Sequence, residues 1–248
     1  MSDFQLVSDV HLEGYEDYSK IWDFIHPQSD TLVLPGDICS YATAEAIEFI
    51  SRKFKKVICV LGNHDYYDEA IGFNSSWKPE VPDNVVLLEQ SATEHDGVLY
   101  VGATLWSDLK NGDWFVKNSV MSMVEDFSCI DSFTTDKLMH RFKRSHDYIK
   151  NVVEQNRGKK IVIVTHFVPS YALIGEKWKH PSYELLNCYF SGNCDDIISI
   201  CEPGTTWVYG HTHDASSKVL GDVNFYVNPL GYHGSLKFTS YRDLVVQV

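Results

Sequence analysis

A chain of 248 residues, 44% apolar and 22% charged, can bury one large core, as α/β and all-β domains of this length do. Its net charge of −13 argues against a nucleic-acid backbone as the main partner, because such binding needs a positive face. No apolar run approaches a membrane span, the N-terminus shows no basic-then-apolar leader, and the six cysteines include no C-x-x-C pair, so a reducing cytoplasm is the expected location.

The first predicted strand, residues 4–8, delivers Asp9-Val10-His11. Residues two apart in an extended segment point the same way, so Asp9 and His11 can converge on one ion. Residues 18–26, with Ile21, Trp22 and Ile25 at helical spacing, predict a covering helix. A second strand over 31–34 ends in Pro35-Gly36-Asp37, which again presents a carboxylate just after a glycine. A helix over about 43–54 carries Ala46, Ile47, Ile50 and Phe54 on one face and leads to a third strand, 57–61. That strand delivers Gly62-Asn63-His64-Asp65: a turn residue, a neutral oxygen donor, an imidazole and a carboxylate. The order β-α-β-α-β predicts a parallel sheet with crossover helices.

Residues 71–84, rich in Gly, Asn, Ser and Pro, read as a surface loop. Strands are predicted over 85–88 and 98–101, with Asp96-Gly97 marking a tight turn before the second. The stretch 106–129 has little pattern, and 113–123 fits either helix or loop. A helix over 135–157 is clearer: Leu138, Phe142, Ile149 and Val153 form its stripe, Thr135 can cap it and Gly158 ends it. His140 and His146 fall on its polar face. The strand 160–165 then delivers His166. Helical segments follow over 183–190 and 195–200, the second capped by Asn193. The strand 206–209 delivers Gly210-His211-Thr212-His213, and the remainder, with strands over 218–220, 225–228 and 244–248, reads as a β-meander.

Strand ends thus supply Asp9, His11, Asp37, Asn63, His166, His211 and His213, with His64 and Asp65 beside them. So many nitrogen and oxygen donors suit two divalent cations, with a carboxylate such as Asp37 able to bridge them. The lack of thiolate donors argues against a structural zinc site.

The blocks D-x-H, G-D, G-N-H-[DE], H and G-H-x-H, spread from Asp9 to His213, resemble the calcineurin-like metallophosphoesterase superfamily. Residues 102–106, 165–170 and 228–232 are similar to its small bacterial and phage-borne members. The resemblance implies a four-layer α-β-β-α sandwich, one domain over 1–248 with a helical insertion at about 106–158. It implies two transition-metal ions (manganese, iron or zinc). Asp9, His11 and His213 would hold one, Asn63, His166 and His211 the other, and Asp37 would bridge. His64 would be the catalytic general acid, oriented by Asp65. The implied activity is phosphohydrolase: a metal-bridging hydroxide attacks a small phosphate diester or monoester, such as a nucleotide. Two rivals stand beside this, a non-catalytic interaction protein on the same fold and a nuclease, the latter disfavoured by the acidic balance. The chain departs from the Ser/Thr protein phosphatases, which continue G-D with an acid and an arginine, whereas Asp37 precedes Ile38-Cys39-Ser40 here. It also has Leu230 where many small relatives carry a phosphate-clamping arginine. Trp106, Asp108, His180, Asn187 and His233 are candidates to line a substrate pocket. The sequence carries no signal for oligomeric state.

Overall fold

The computed structural model describes residues 2–68, 71–73, 79–234 and 241–248. Two sheets stack face to face. The first combines Asp3–Leu6 (β1), Thr31–Pro35 (β2), Lys56–Val60 (β3), Val85–Leu87 (β4) and, from the end of the chain, Leu244–Gln247 (β11). Its order is β11-β1-β2-β3-β4, parallel throughout except for β11 on the edge. The second contains Ser91–His95 (β5), Val98–Ala103 (β6), Lys160–Thr165 (β7), Thr205–Tyr209 (β8), Ser216–Leu220 (β9) and Val223–Val227 (β10). Its order is β5-β6-β7-β8-β10-β9, with β6, β7, β8 and β10 parallel and both edge strands antiparallel.

The inner strands are continuous apolar runs because each is covered on both faces. Successive residues alternate between two cores. Val33, Ile58, Val60, Tyr100, Val162 and Val208 fill the layer between the sheets, whereas Leu32, Cys59, Val101, Ile163 and Trp207 belong to the core under the helices. The helices are Thr43–Ser51 (α1), a single turn Leu109–Gly112 (α2), Trp114–Met123 (α3), Asp126–Cys129 (α4), Thr135–Gln155 (α5), Glu184–Phe190 (α6) and Asp195–Ile200 (α7). The α2 turn is irregular, with left-handed φ at Lys110 and Asn111. The result is the α-β-β-α sandwich expected from the resemblance.

Several local expectations shift. Residues 18–26 form a shorter 3-10 segment, Tyr18–Asp23, ahead of Pro27, which disfavours helix at His26. Thr134, not Thr135, caps α5, its hydroxyl accepting from the Lys137 N–H. Residues 114–123 are helical, with Asp113 as the cap. Asp96-Gly97 does close a two-residue hairpin, both φ positive (48° and 75°), but its first strand, β5, went unread. The tail is not a meander. Among its described residues only β9 and β10 form a hairpin; β10 pairs parallel with β8, and β11 crosses to the other sheet. Part of the predicted 71–84 loop lies outside the described residues. All six cysteines are free, and among the described residues no helix is long and apolar enough to cross a membrane.

Candidate metal centre

Parallel strands place their C-terminal ends on one edge, and here both sheets contribute. Asp9 and His11 follow β1, Asp37 follows β2, Asn63 follows β3, His166 follows β7, and His211 and His213 follow β8. Backbone hydrogen bonds zip these ends together: Asp9 N–H to Gly36 O, His11 N–H to Asp37 O and Gly210 N–H to His166 O. Glycines allow the approach. A Cβ on Gly62 would lie 2.1 Å from Asp37 Oδ1, and one on Gly36 would lie 2.6 Å from His166 Nδ1. Strain concentrates at the same place. Asp9, His11, Asp37, His211 and His213 all have positive φ, between 46° and 69°, a conformation that costs of order 1–3 kcal/mol per non-glycine residue.

The side chains gather into two donor clusters that share one carboxylate. Asp9, His11, Asp37 and His213 form one, and Asp37, His166 and His211 the other, the atoms of each lying within 4.8 Å of one another. Asp37 Oδ2 stands 3.7 Å from His11 Nε2, and Oδ1 stands 3.4 Å from His166 Nε2. Asn63 Oδ1 joins the second cluster, 2.9 Å from His166 Nε2. Two of the unused imidazole nitrogens are held: His11 Nδ1 meets Glu13 Oε1 at 2.9 Å, and His166 Nδ1 donates to Pro35 O at 2.8 Å, whereas the unused Nε2 of His211 is buried without a hydrogen-bond partner. The nitrogens facing inward crowd in pairs, His11 Nε2 to His213 Nε2 and His166 Nε2 to His211 Nδ1, each at 3.1 Å. At that distance one ring can donate to the other, or both can turn lone pairs onto one cation; with the Asp9 and Asp37 carboxylates and Asn63 Oδ1 beside them, the donor set fits two metals.

The charges agree. Although burial opposes it, neighbouring histidines hold the Asp9 and Asp37 carboxyls below their usual range. Burial also pulls on His166, yet Asp37 and Asp9 raise it to about 9, whereas burial and the His166 charge press His211 well down. A proton on His166 thus stands in for cationic charge in the metal-free protein.

His64 sits beside these two clusters and belongs to neither, though its ring falls with His11 and Glu13 in a third close group of donors. Its backbone N–H donates to Asp37 Oδ1 at 2.9 Å, Nε2 lies 3.2 Å from the Tyr232 hydroxyl, and Nδ1 lies 3.4 Å from Ser40 Oγ. Ser40 in turn donates to Glu13. Asp65 does not orient this ring. Its carboxylate accepts from the backbone N–H groups of Ile38, Cys39 and Gly62 at 2.7–3.0 Å, bracing the loops after β2 and β3 against each other.

Three partners of the site, Asp126, Glu13 and Tyr232, lie beyond what the motifs indicate. Asp126, on α4, accepts from Asn63 Nδ2 at 3.0 Å and from the Tyr67 and Tyr189 hydroxyls, which fixes the amide with Oδ1 towards His166. The 106–129 stretch offered no periodicity to reveal it. Glu13 was visible in principle, since it continues the Asp9-x-His11 alternation by two residues. Tyr232 is brought over His11, ring centroids 4.1 Å apart, by the backbone pairing of residues 228–231 with Ser8 and Asp9 just after β1. Leu230 is fully buried there. Of the proposed pocket residues, only Asn187 lines the cavity beside the metal ligands. Trp106 is fully buried in the core, Asp108 caps α2, His180 lines a neighbouring cavity, and the His233 ring packs on Tyr15. The cleft over the clusters, about 310 Å³, contains no Lys or Arg among the described residues.

A sequence profile described as calcineurin-like phosphoesterase matches residues 4–215. An uncharacterized protein of Acanthamoeba polyphaga mimivirus, L509, is 30% identical over 95% of this chain and 93% of its own length. The crystal structure of phosphopantetheinyl hydrolase (PptH) from Mycobacterium tuberculosis superposes with a TM-score of 0.67 at 17% identity, covering 95% of this chain and 93% of that one.

Proposed function

The chain belongs to the calcineurin-like phosphoesterase family, and from that premise we propose that it hydrolyses small phosphate diesters or monoesters at a two-metal centre, with His64 as general acid. The observation that carries this is the pair of donor clusters meeting at Asp37 in a cleft without Lys or Arg among its described lining residues. A phosphate dianion meets no Lys or Arg among the described lining, so beyond the histidines its positive partners would be bound metal. In the proposed assignment Asp9, His11 and His213 would hold one ion, Asn63, His166 and His211 the other, and Asp37 would serve both. When bound, the two ions would supply Lewis acidity and an activated water. The chain's own residues do the rest. Glu13 holds the His11 ring, Asp126 holds the Asn63 amide, and His64, tethered through its N–H to Asp37, delivers a proton to the leaving oxygen.

Asp37 is followed by Ile38 and Cys39, both fully buried, so no charged group stands where the protein phosphatases use an acid and an arginine. Diesters and small nucleotides are therefore expected to outperform phosphopeptides. PptH is a phosphopantetheinyl hydrolase, which puts phosphopantetheine esters in the screen as well. A non-catalytic interaction protein is the weaker alternative, because two groups of side chains able to hold metal lie beside His64, which supports chemistry there. A cytoplasmic setting accompanies this reading, in keeping with six free cysteines.

The test is elemental analysis of protein purified without chelator, alongside turnover of phosphomonoesters, phosphodiesters, nucleotides and phosphopeptides. About two metal equivalents and metal-dependent ester hydrolysis are expected. One equivalent with full activity, or two equivalents with every ester inert, would overturn the proposal.

A further inference from the structure

An apolar cavity of about 240 Å³ opens beside the metal ligands, between the 3-10 segments Glu176–Trp178 and Pro181–Tyr183, helix α6 and Tyr232. His211 and His213 form part of its wall, so a group seated in it is joined directly to the two-metal site. We propose that this cavity is the subsite for a flat heteroaromatic ring, and hence that the substrate is a phosphate ester of a nucleoside. The proposal rests on the phosphoesterase reading and narrows it.

The walls select for such a ring. Trp178, Tyr183, Phe190 and Tyr232 present aromatic surface, Leu186 adds an aliphatic face, and no Asp, Glu, Lys or Arg lines the cavity among the described residues. A strongly hydrated group would lose its water there without a charged partner. The rings of Trp178 and Tyr183 stand edge to face, 5.1 Å apart at 81°, which fixes their planes relative to each other. Phe190 is stacked on His211 at 4.3 Å and 28°. Stacking on aromatic side chains is the usual way proteins hold a base, and it is indifferent to which base. One polar side chain adds direction. Asn187 donates through Nδ2 to the Trp178 carbonyl at 2.8 Å, which leaves Oδ1 as the atom to accept an N–H from a base edge. Most of these walls come from residues 174–190, the stretch between β7 and β8, so the strands carry the chemistry and this connection carries the selection.

The test compares adenosine 5′-monophosphate with ribose 5-phosphate, which keeps the phosphate and sugar but lacks the ring. Binding is measured by calorimetry on the manganese-loaded protein, its Trp178→Ala variant and its Tyr183→Ala variant, both at residues that line the apolar cavity and not the metal cleft. Stacking predicts at least about fivefold tighter binding of the nucleotide to the wild type. Either variant should erase that advantage while leaving ribose 5-phosphate affinity as it was. Equal affinity for the two ligands in the wild type, or an advantage that survives both substitutions, overturns the subsite. Tighter binding of 4′-phosphopantetheine than of the nucleotide overturns it too, in favour of a flexible amide arm. A parallel assay with bis(p-nitrophenyl) phosphate separates the two claims. If both that diester and the monoester p-nitrophenyl phosphate are inert the phosphoesterase reading fails, while the calorimetric comparison still decides the ring.

Discussion

Single side chains divide into those that would hold metal and those that touch the holders. His64 and Asp126 are both of the second kind, and substitution should tell them apart. His64→Gln is expected to keep about two metal equivalents while kcat falls by ~10²–10⁴-fold. The fall should be far larger for nucleoside or alkyl esters than for nitrophenyl esters, since a nitrophenolate departs without a proton. Metal loss in this variant would make His64 a ligand, and equal damage on both ester types would make it a phosphate-binding group. Asp126→Ala should behave differently. It frees the Asn63 amide to turn, so affinity at the Asn63, His166 and His211 set should drop by about 10–100-fold, the usual cost of losing a partner that orients a ligand. Metal titration should then show one weak and one unchanged site; two unchanged sites would reduce Asp126 to a packing group.

Among the elements, the loops after β2 and β3 matter most, because their ends supply Asp37 and Asn63. Asp65 ties them with three buried backbone N–H groups, and each such group costs about 1–3 kcal/mol when left unpaired. Asp65→Ala should therefore lower Tm and weaken both metal sites together, unlike His64→Gln. A variant that melts like the wild type and binds both metals would show that the brace is dispensable. Elsewhere, the strength of local patterning sorted what could be read. β7 is five apolar or β-branched residues after Lys160 and was evident; β5, Ser-Ala-Thr-Glu-His, is a half-exposed edge strand whose only apolar residue is alanine. α4 is a single turn, too short to show a period, and it still carries Asp126 into the site.

For the molecule as a whole, metal is expected to govern both affinity and stability. In the metal-free protein His166 keeps a proton up to about pH 9, so a cation must displace it, and apparent affinity should fall as pH falls below that value. Calorimetry in buffers of different ionisation enthalpy should register proton release near neutral pH; none would remove the case for His166 as a ligand. The sign for stability is the reverse. His166 is raised from the usual 6.5, so its contribution to the metal-free fold is complete below about pH 6.5 and is lost by about pH 9. His211 is shifted downward, and its cost is felt only on the acid side of that window. Melting in chelator should thus show Tm declining between those limits, and added metal should restore it by mass action.

The sequence by itself determined the inner parallel strands and the longer helices, the family, and every residue proposed to hold metal. These are legible because each is a local event: a β-branched run, a glycine that lets two loops meet, and a polar group directly after it. Whether those groups converge was a matter of tertiary structure, since it needs two sheets stacked with their carboxyl ends on one edge. The same holds for the partners behind the ligands. Asp126 reaches Asn63 across sixty-three positions, and Tyr232 reaches His64 across one hundred and sixty-eight. Asp65, adjacent to His64 in the chain, turns away to bind backbone amides. Sequence proximity decides which groups a strand end can offer. Packing decides which of them face each other, because a hydrogen bond depends on distance and direction rather than on order along the chain.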